Sequence, residues 1–372
     1  MPGLEKVAPE STYPLLAPTV ADRAELLGGG RFTPELLTVQ ERSLCVERAI
    51  TGLYRWYTSR SQQTRNWNAD SSFAWKDVRR DHGDPLHVVI EGFYAVEQYV
   101  PDYVTALLKV IRQSYGRSQM HLRWGAEEEK HADVWRNAVL SMGRRSVSWM
   151  EDYTGQLRGR EFQLPWDDAL HMLFYAVFQE RATQVNYLNL SLAVSSRSNS
   201  PVYSNDDDPV LEEVARTIAI DEAAHYHFFL EAARVFLYYF PLEATVALVD
   251  VMRHFTMPAR DLIPDYDHFA NVLHSTGIFT QRIHYRDVIA VALEQLGVRA
   301  RQALEDGIRR SREIPGPDGA MRVSAIFDAI DHDHVAQAVE RVFGVIDDYA
   351  KYASVEHTIP PGFRVARARI DA

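Results

Sequence analysis

Two short motifs of the form Glu-x-x-His constrain what this chain can fold into more than any other feature of its sequence. Glu222 and His225 form one motif, inside an apolar stretch between residues 214 and 236, and Glu128 and His131 repeat the same spacing. Three residues correspond to about 300° of rotation on an α-helix, so the two side chains of each motif leave from one face. A carboxylate and an imidazole on one face suit a metal ion such as iron, manganese or zinc. One motif alone is expected by chance, but two predict a helical bundle in which two further helices each contribute one Glu to a two-metal site.

The composition limits the chemistry and the partners that can be expected. The chain has 372 residues, of which 46% are hydrophobic, so it can bury a large core. Its single cysteine, Cys45, excludes an internal disulfide framework and a cysteine-ligated iron–sulfur cluster, so electrons for a redox reaction must come from another protein. A net charge of −11 and the lack of a basic stripe interleaved with aromatic residues argue against nucleic-acid binding.

Two features bear on the compartment. No apolar run reaches the roughly 20 residues that a bilayer span needs, so an integral membrane protein is not expected. The first residues lack the order of basic, apolar and small residues that marks a secretory signal, and no transit peptide is evident. We therefore expect a cytoplasmic, bacterial protein.

Breaker residues and apolar periodicity predict three parts along the chain. These are an irregular N-terminal arm over 1–36, a helical bundle over 37–300, and C-terminal helices with an extended tail over 301–372 that pack on the bundle. No strand-like alternation is found. The predicted helices cover about 36–59, 85–114, 118–140, 147–157, 165–194, 241–254, 283–298, 298–312 and 323–352, and one more starts near Pro209 and contains the apolar run 214–236.

Some helix starts can be predicted from single residues. Pro85 and Pro165 suit the first position of a helix, because that position needs no backbone donor. The polar stretch 195–208 is typical of a loop, and the acidic residues Asp206 to Asp208 at its end suit the start of the next helix, where negative charge meets the positive end of the dipole.

The two lone carboxylates are sought on other long helices. Glu180 lies in an apolar helix, and a buried carboxylate without a partner costs several kcal/mol, so it should be paired or bound to metal. The first long helix offers Glu91 and Glu97. Pro101 cannot donate to the carbonyl of Glu97, and the resulting kink could turn this residue toward a site. The residues alone leave the choice open, with Glu97 mildly favoured.

The complete set of candidate ligands contains four carboxylates and two imidazoles, which can hold two iron ions deep inside a bundle. We expect an all-α fold, a ferritin-like four-helix bundle with additional flanking helices. The candidate ligands are Glu97, Glu128, His131, Glu180, Glu222 and His225.

Several motifs resemble those of the soluble acyl-acyl-carrier-protein desaturases of the stearoyl type. The resemblance covers roughly residues 35–295 and favours Glu97 over Glu91, because the family has a proline four residues after its first ligand and a tyrosine two residues further on. The matching segments are Phe178–Thr183 (FQERAT), Ala126–His131, Asp221–His225, Glu97 with Pro101 and Tyr103, Thr256–Ala259, Asp267–Phe269 and Gly277–Thr280.

This resemblance implies a function and a set of partners. It implies that a cis double bond is introduced into an acyl chain carried on acyl carrier protein, with two iron ions, O2, electrons from a ferredoxin-type donor, and a homodimeric enzyme. It places Thr183 near bound oxygen and links Trp67 through Asp221 to His131 or His225, as an orienting and electron-carrying pair. It does not give the chain length or the position of the double bond.

The sequence also departs from the family. Ala224 replaces a long side chain, and the loop over 195–208 is longer than usual, which would alter substrate access if the loop lies near the channel mouth. Ala106, Leu107 and Val110 are weak candidates for the wall of the channel.

Other di-iron proteins share the same ligand logic. The main alternative is another oxygenase, a hydroxylase or an N-oxygenase acting on a carrier-bound or small apolar substrate. An N-oxygenase of the di-iron class typically has a third histidine ligand, and the sequence offers no good candidate for one. His227 lies about 200° around the helix from His225, and His171 is too far along the axis from Glu180. A ribonucleotide reductase small subunit would place a radical tyrosine beside its first ligand. Tyr94 lies one turn before Glu97, but we expect it to be a core or channel residue. A non-enzymatic iron-binding subunit or a carrier-protein scaffold would be favoured only if a ligand were missing.

Acidic partners require a basic patch on an acidic chain. Eight arginines could form a docking patch for acyl carrier protein, or could merely balance nearby acids. They are Arg299, Arg301, Arg309, Arg310, Arg312, Arg364, Arg367 and Arg369.

Overall fold

A computed structural model describes residues 39–198, 200–296, 313–315 and 321–323. Nearly all of these residues belong to helices or to the short connections between them. The helices of the described residues are α1 (Val39–Thr64), α2 (Asp84–Glu97), α3 (Val100–Ile111), α4 (Tyr115–Ser141), α5 (Val147–Arg158), α6 (Ala169–Ala193), α7 (Pro209–Tyr239), α8 (Pro241–His254), α9 (Tyr266–Ser275), α10 (Gln281–Ile283) and α11 (Ala290–Leu296). A 3₁₀ turn (Trp75–Asp77) follows α1, and a π-helical turn (His284–Ile289) joins α10 to α11.

The long helices form the predicted four-helix bundle. Its members are α4, α6, α7 and the broken pair α2–α3, and α6 and α7 share the most extensive interface. Helix α1 packs on α4 and α7, α8 packs on α6 and α7, and α9 packs on α2. The all-α, ferritin-like bundle with flanking helices is therefore confirmed for residues 39–198 and 200–296. None of these helices combines the length and apolarity that a membrane span requires.

The helix expected over 85–114 is broken next to Glu97. Helix α2 ends at Glu97, and α3 begins at Val100 with Pro101 in its first turn. The backbone of Tyr99 between them has φ −92° and ψ 9°. Because Pro101 has no N–H to donate to the carbonyl of Glu97, one helix cannot run through this point. The predicted kink is confirmed, and it places Glu97 at the very end of α2.

Aspartate side chains cap two of the helices at their first turn. The Asp208 side chain accepts hydrogen bonds from the backbone N–H groups of Val210 and Leu211, which confirms the expected acidic start of α7. The prediction that Pro165 opens α6 is wrong. Asp168 caps this helix instead, accepting from the N–H groups of Leu170 and His171.

Helices α1 and α4 approach each other closely at a glycine. A Cβ added to Gly116 would lie 2.7 Å from the backbone nitrogen and 2.8 Å from the Cα of Thr51 on α1. Backbone atoms cannot move aside as a flexible side chain can, so only glycine fits at this crossing. The contact fixes α1 in the groove between α4 and α7.

A small β-ribbon was not expected. Strand β1 (Glu313–Pro315) pairs antiparallel with β2 (Met321–Val323), with Ile314 opposite Arg322. Three residues are too few to show period-two alternation, which is why the sequence pattern missed them. The arm over 1–36, the predicted helix over 298–312, the predicted helix over 323–352 beyond Val323, and the arginine patch lie outside the described residues.

Candidate metal centre

The structure brings all six candidate ligands together in the middle of the bundle. Each is 4% exposed or less. Glu97 comes from the end of α2, Glu180 from α6, and the two Glu-x-x-His motifs from α4 and α7. The ligand atoms fall into two groups, each with its atoms within 4.8 Å of one another, namely Glu97, Glu128, His131 and Glu222, and Glu128, Glu180, Glu222 and His225.

Two carboxylates belong to both groups. Glu128 and Glu222 stand on facing helices, and each offers oxygens to either side. Oε2 of Glu128 lies 3.4 Å from Nδ1 of His131, and its Oε1 lies 2.8 Å from Nδ1 of His225. This arrangement suits two metal ions that share Glu128 and Glu222, with one histidine on each ion.

The donor atoms are poorly explained without a metal. Six buried atoms have no well-aligned hydrogen bond to any described residue, although several lie 2.8 to 3.5 Å from one another. They are Nδ1 of His131, Nδ1 of His225, Oε1 of Glu128, Oε2 of Glu180 and both oxygens of Glu222. Buried polar atoms are normally paired, so a set that converges without pairing marks an ion site. Nitrogen and oxygen donors of this kind suit iron, manganese or zinc, and the residues fit the two-iron centre expected from the sequence.

The electrostatics support the same conclusion. Burial raises the pKa of the Glu97 carboxyl well above its usual range, and the Glu128 carboxylate adds to the rise. Burial also raises the pKa of Glu180, with a further contribution from Glu222. Bound cations would offset both effects, because they stabilise the ionised carboxylates that a dry interior otherwise disfavours.

Trp67 and Asp221, the pair that the family resemblance implied, contact His131. Its Nε2 lies 3.3 Å from Oδ2 of Asp221, and Trp67 donates its indole N–H to the same oxygen at 2.8 Å. The rings of Trp67 and His131 stack at 6.1 Å with an angle of 5° between their planes. Arg65 and Lys130 contact Asp221 at 3.3 and 3.6 Å. The structure thus assigns Asp221 to His131 rather than to His225.

The partner of His225 was missed by the sequence analysis. Nε2 of His225 lies 3.0 Å from Oε2 of Glu127, which is 1% exposed. Tyr57 and Ser61 of α1 donate short hydrogen bonds to Glu127, and Arg123 donates to it at 3.1 Å. A signal existed, because Glu127 precedes Glu128 just as Asp221 precedes Glu222.

These outer contacts cross between the helices. Glu127 on α4 holds the histidine of α7, and Asp221 on α7 holds the histidine of α4. Both bonds engage Nε2, so Nδ1 of each ring is directed at the cluster of carboxylates. A hydrogen bond at one ring nitrogen fixes the tautomer and the orientation that metal binding at the other requires.

Two other side chains hold the lone carboxylates and were also missed. Tyr187, two helical turns after Glu180, donates a short hydrogen bond to Glu97. Trp124, one turn before Glu128, donates its indole N–H to Oε1 of Glu180 at 3.0 Å. Their spacing from the ligands, seven and four residues, was the available signal.

The residues that were considered as ligands or as a radical site, but not favoured, contact other side chains. Glu91 forms a bidentate ion pair with Arg145, at 2.6 and 3.0 Å. His227 packs against Trp56, with ring centroids 5.9 Å apart, and His171 pairs with Asp168. The remaining candidate, Tyr94, is buried in the core and hydrogen-bonded to Thr154. No third histidine joins the cluster among the described residues.

Two cavities meet beside the centre. The first, here called the entrance arm, is the wider of the two and reaches the surface at the exposed residues His274 and Gln281. The second, the blind arm, is narrower and is lined by buried and half-buried residues. Val96 and Thr183 line both arms, so the two cavities are neighbours, and the candidate ligands Glu97, Glu128 and Glu180 line the blind arm.

Of the three residues expected in the channel wall, the structure places one in the lining of a cavity. Leu107 lines the blind arm, whereas Ala106 and Val110 line neither arm, so two of these three predictions are wrong. A helix turns side chains 100° apart at successive positions, and only Leu107 faces inward here. The loop over 195–208 lines neither arm in its described residues. Its Asp206 and Asp208 instead contact the buried His82, at 3.4 and 3.1 Å.

Comparison with known proteins identifies the family of this chain. A family profile described as fatty acid desaturase matches residues 60–342. The chain is 27% identical over 246 residues to stearoyl-[acyl-carrier-protein] 9-desaturase 6 of Arabidopsis thaliana, covering 62% of this chain and 60% of that protein. It is 28% identical over 250 residues to stearoyl-[acyl-carrier-protein] 9-desaturase 1 of Oryza sativa subsp. japonica, covering 62% of each. The match therefore spans less than two thirds of these relatives. Among solved structures, the DesA2 protein of Mycobacterium tuberculosis H37Rv gives a TM-score of 0.48 at 19% identity, covering 70% of this chain and 98% of that one.

Proposed function

The chain belongs to the fatty acid desaturase family, and on that premise we propose that it introduces a cis double bond into an acyl chain carried on acyl carrier protein. In this proposal two iron ions are held by Glu97, Glu128, His131, Glu180, Glu222 and His225. Two relatives that match the chain are named as desaturases of acyl groups on an acyl carrier protein.

One observation carries the proposal. Glu97, Glu128 and Glu180 form part of the wall of the blind arm, whose other lining is largely apolar. A polymethylene chain that entered past His274 and bent at Thr183 would lie directly along these carboxylates. A deep apolar channel beside a two-metal site fits a reaction at unactivated methylenes better than a reaction of a polar substrate.

The protein's own groups hold, orient and shield the site. Two bound iron ions would supply the redox chemistry with O2 that removes hydrogen from two adjacent methylenes. Asp221 and Glu127 fix the rings of His131 and His225 through Nε2. Thr183, which donates to the carbonyl of Gln179 at 2.9 Å, lines both arms at the bend, where O2 and substrate would meet. The buried lining excludes water, which protects an oxidising centre from side reactions.

The reaction needs an external donor. Removing two hydrogen atoms from the substrate supplies two of the four electrons that reduce O2 to two water molecules, so a partner must supply the other two. A ferredoxin-type protein is the donor proposed here, because the sequence contains one cysteine and so cannot build a cysteine-ligated cluster. Half-buried Trp67, stacked on His131 and under Lys130 at 4.3 Å, is the proposed entry for electrons. A homodimer in the cytoplasm completes the proposal.

The test is aerobic incubation of the iron-loaded protein with ferredoxin, its reductase and a panel of acyl carrier proteins bearing saturated chains. Mass spectrometry of the released chains should show loss of two hydrogens. Gain of one oxygen without loss of hydrogen would identify a hydroxylase instead. No change in any chain, with donor and iron shown to be present, would overturn the proposal.

A further inference from the structure

A third cavity lies beyond the blind arm and is here called the distal chamber. It is small and shares Leu107, Met172 and Phe229 with the blind arm. These three side chains form a partition between the two cavities. An acyl chain that filled the blind arm would therefore point its far end at the distal chamber.

The distal chamber contains a buried cation. Arg117 is 8% exposed, donates a short hydrogen bond to the carbonyl of Ala169, and lies 5.5 Å from the ring centroid of Phe236. It forms no ion pair with a carboxylate in the part of the chain that the structure describes. Burial lowers the pKa of the Arg117 guanidinium to about 10, and the negative charges of Glu47 and Asp168, which form no ion pair with it, offset only part of the desolvation. A buried guanidinium has more N–H groups than this one carbonyl can satisfy.

A hydrogen-bond acceptor stands beside that cation. Nδ1 of His121, one helical turn after Arg117, lies 2.9 Å from the backbone carbonyl of Arg117, so this nitrogen carries the proton and donates. Burial lowers the pKa of His121 to about 4, so the ring is neutral at physiological pH. Nε2 is then an acceptor, and it has no hydrogen-bond partner among residues 39–198, 200–296, 313–315 and 321–323. Its ring packs edge-on against Phe229 of the partition, 5.6 Å between centroids.

We propose that the distal chamber binds a terminal hydroxyl group, so that the preferred substrate is an acyl chain with an oxygenated far end. This inference rests on the proposed function, because the same channel must admit the chain. A hydroxyl fits both groups at once, since its O–H can donate to Nε2 of His121 while its oxygen accepts from Arg117. A methyl group offers neither bond. A carboxylate would place its lone pairs against the lone pair of Nε2.

Binding rather than turnover tests this inference. Matched thioesters of N-acetylcysteamine, from dodecanoyl to octadecanoyl, would be prepared with a methyl, a hydroxyl or a carboxylate at the far end. Their affinities for the full-length, iron-loaded protein would be measured by isothermal titration calorimetry. At the best chain length the hydroxyl form should bind about fivefold to tenfold more tightly than the methyl form, the effect of one or two well-placed hydrogen bonds.

Three variants sharpen the comparison. His121→Phe should abolish the preference for the hydroxyl without weakening binding of the methyl form, and His121→Gln, which keeps an acceptor, should restore part of it. Leu122→Phe introduces the same ring at an exposed position of the same helix, so it should leave the ratio of the two affinities intact.

Three results would overturn the inference. The first is that the methyl form binds as tightly as the hydroxyl form or more tightly, as expected if the chamber holds only an ordered water. The second is that the carboxylate form binds more tightly than the hydroxyl form. The third is that His121→Phe keeps the preference for the hydroxyl form. Since binding is measured directly, failure of the proposed function would appear separately, as thioesters that bind with the expected order but are never desaturated.

Discussion

The carboxylate of Glu127 lies 3.0 Å from Nε2 of His225, although 98 positions separate the two residues along the chain. Its counterpart is Asp221, which lies 3.3 Å from Nε2 of His131. Each Glu-x-x-His motif therefore provides, in the residue before its Glu, the group that orients the histidine of the other motif.

This relationship predicts a loss of metal affinity without loss of fold. Glu127→Gln keeps the size of the side chain but removes the charge that orients and polarises His225. We expect iron to bind about 10-fold to 100-fold more weakly, as is usual when the outer partner of a ligand is changed. Chelator competition measures this, and Glu129→Gln, a change at an exposed neighbour, is the matched control. Equal affinity in the two variants would show that Glu127 does not position His225.

The shared carboxylates predict how the metal content responds to mutation. Glu128→Ala should leave almost no iron, because Glu128 belongs to both ligand groups. Glu97→Ala should leave about one iron per chain, since Glu97 belongs to one group only. Glu91→Ala is the control. Glu91 lies on the same helix as Glu97 but pairs with Arg145, so this variant should retain the full amount of iron. Elemental analysis of the purified proteins measures the result, and full retention in Glu128→Ala would contradict the two-metal assignment.

The blind arm predicts chain-length selectivity. Leu107→Trp should fill part of the arm near the partition and shift the preferred substrate to shorter chains, because the far end loses room. Thr105→Trp places the same side chain on the exposed side of α3 and serves as the control. Competition between carrier-bound chains of different lengths gives the readout. A shift of similar size in both variants would mean that the arm does not hold the chain.

His121 predicts a component of the pH dependence of stability. Burial lowers its pKa from 6.5 to about 4 in the folded protein, so the unfolded chain takes up this proton at a higher pH than the folded protein does. The histidine therefore reduces the free energy of unfolding as pH falls from about 6.5 to 4, by about 3 kcal/mol in total. Urea denaturation between neutral pH and about pH 4.5 should show a steeper decline in the wild type than in His121→Phe. Parallel curves would show that His121 is not buried in its neutral form.

Two glycines predict opposite effects of the same substitution. Gly116→Ala should destabilise the protein by about 1–3 kcal/mol, because its Cβ meets the backbone of Thr51 where α1 crosses α4. Gly155→Ala in α5, where a Cβ would meet no atom within 4 Å, should stabilise it by up to about 1 kcal/mol through helix propensity. Chemical denaturation of both variants measures this. A neutral Gly116→Ala would mean that the crossing is less tight than described.

The sequence predicted the inner ligands far better than their surroundings. Repeated Glu-x-x-His spacing is a local property of one helix, so Glu128, His131, Glu222 and His225 could be found without knowing how the helices pack. Pro101 located the break beside Glu97 for the same local reason. Tertiary packing decides the rest. Tyr57 reaches Glu127 only because α1 lies between α4 and α7, and no periodicity within α1 states which helices it will touch.

The position of α7 late in the chain determines when the site can form during folding. Trp67, which follows α1, and Asp221 on α7 are 154 positions apart, so their contact closes a long loop and its entropy must be lost before the contact contributes. Glu127 likewise lacks its partner His225 until α7 is in place. A nascent chain would thus build α1 first yet complete the environment of His131 and His225 among the last steps of folding. Tight metal loading then reports a completed fold, and a chain arrested before α7 would have helices but no functional centre.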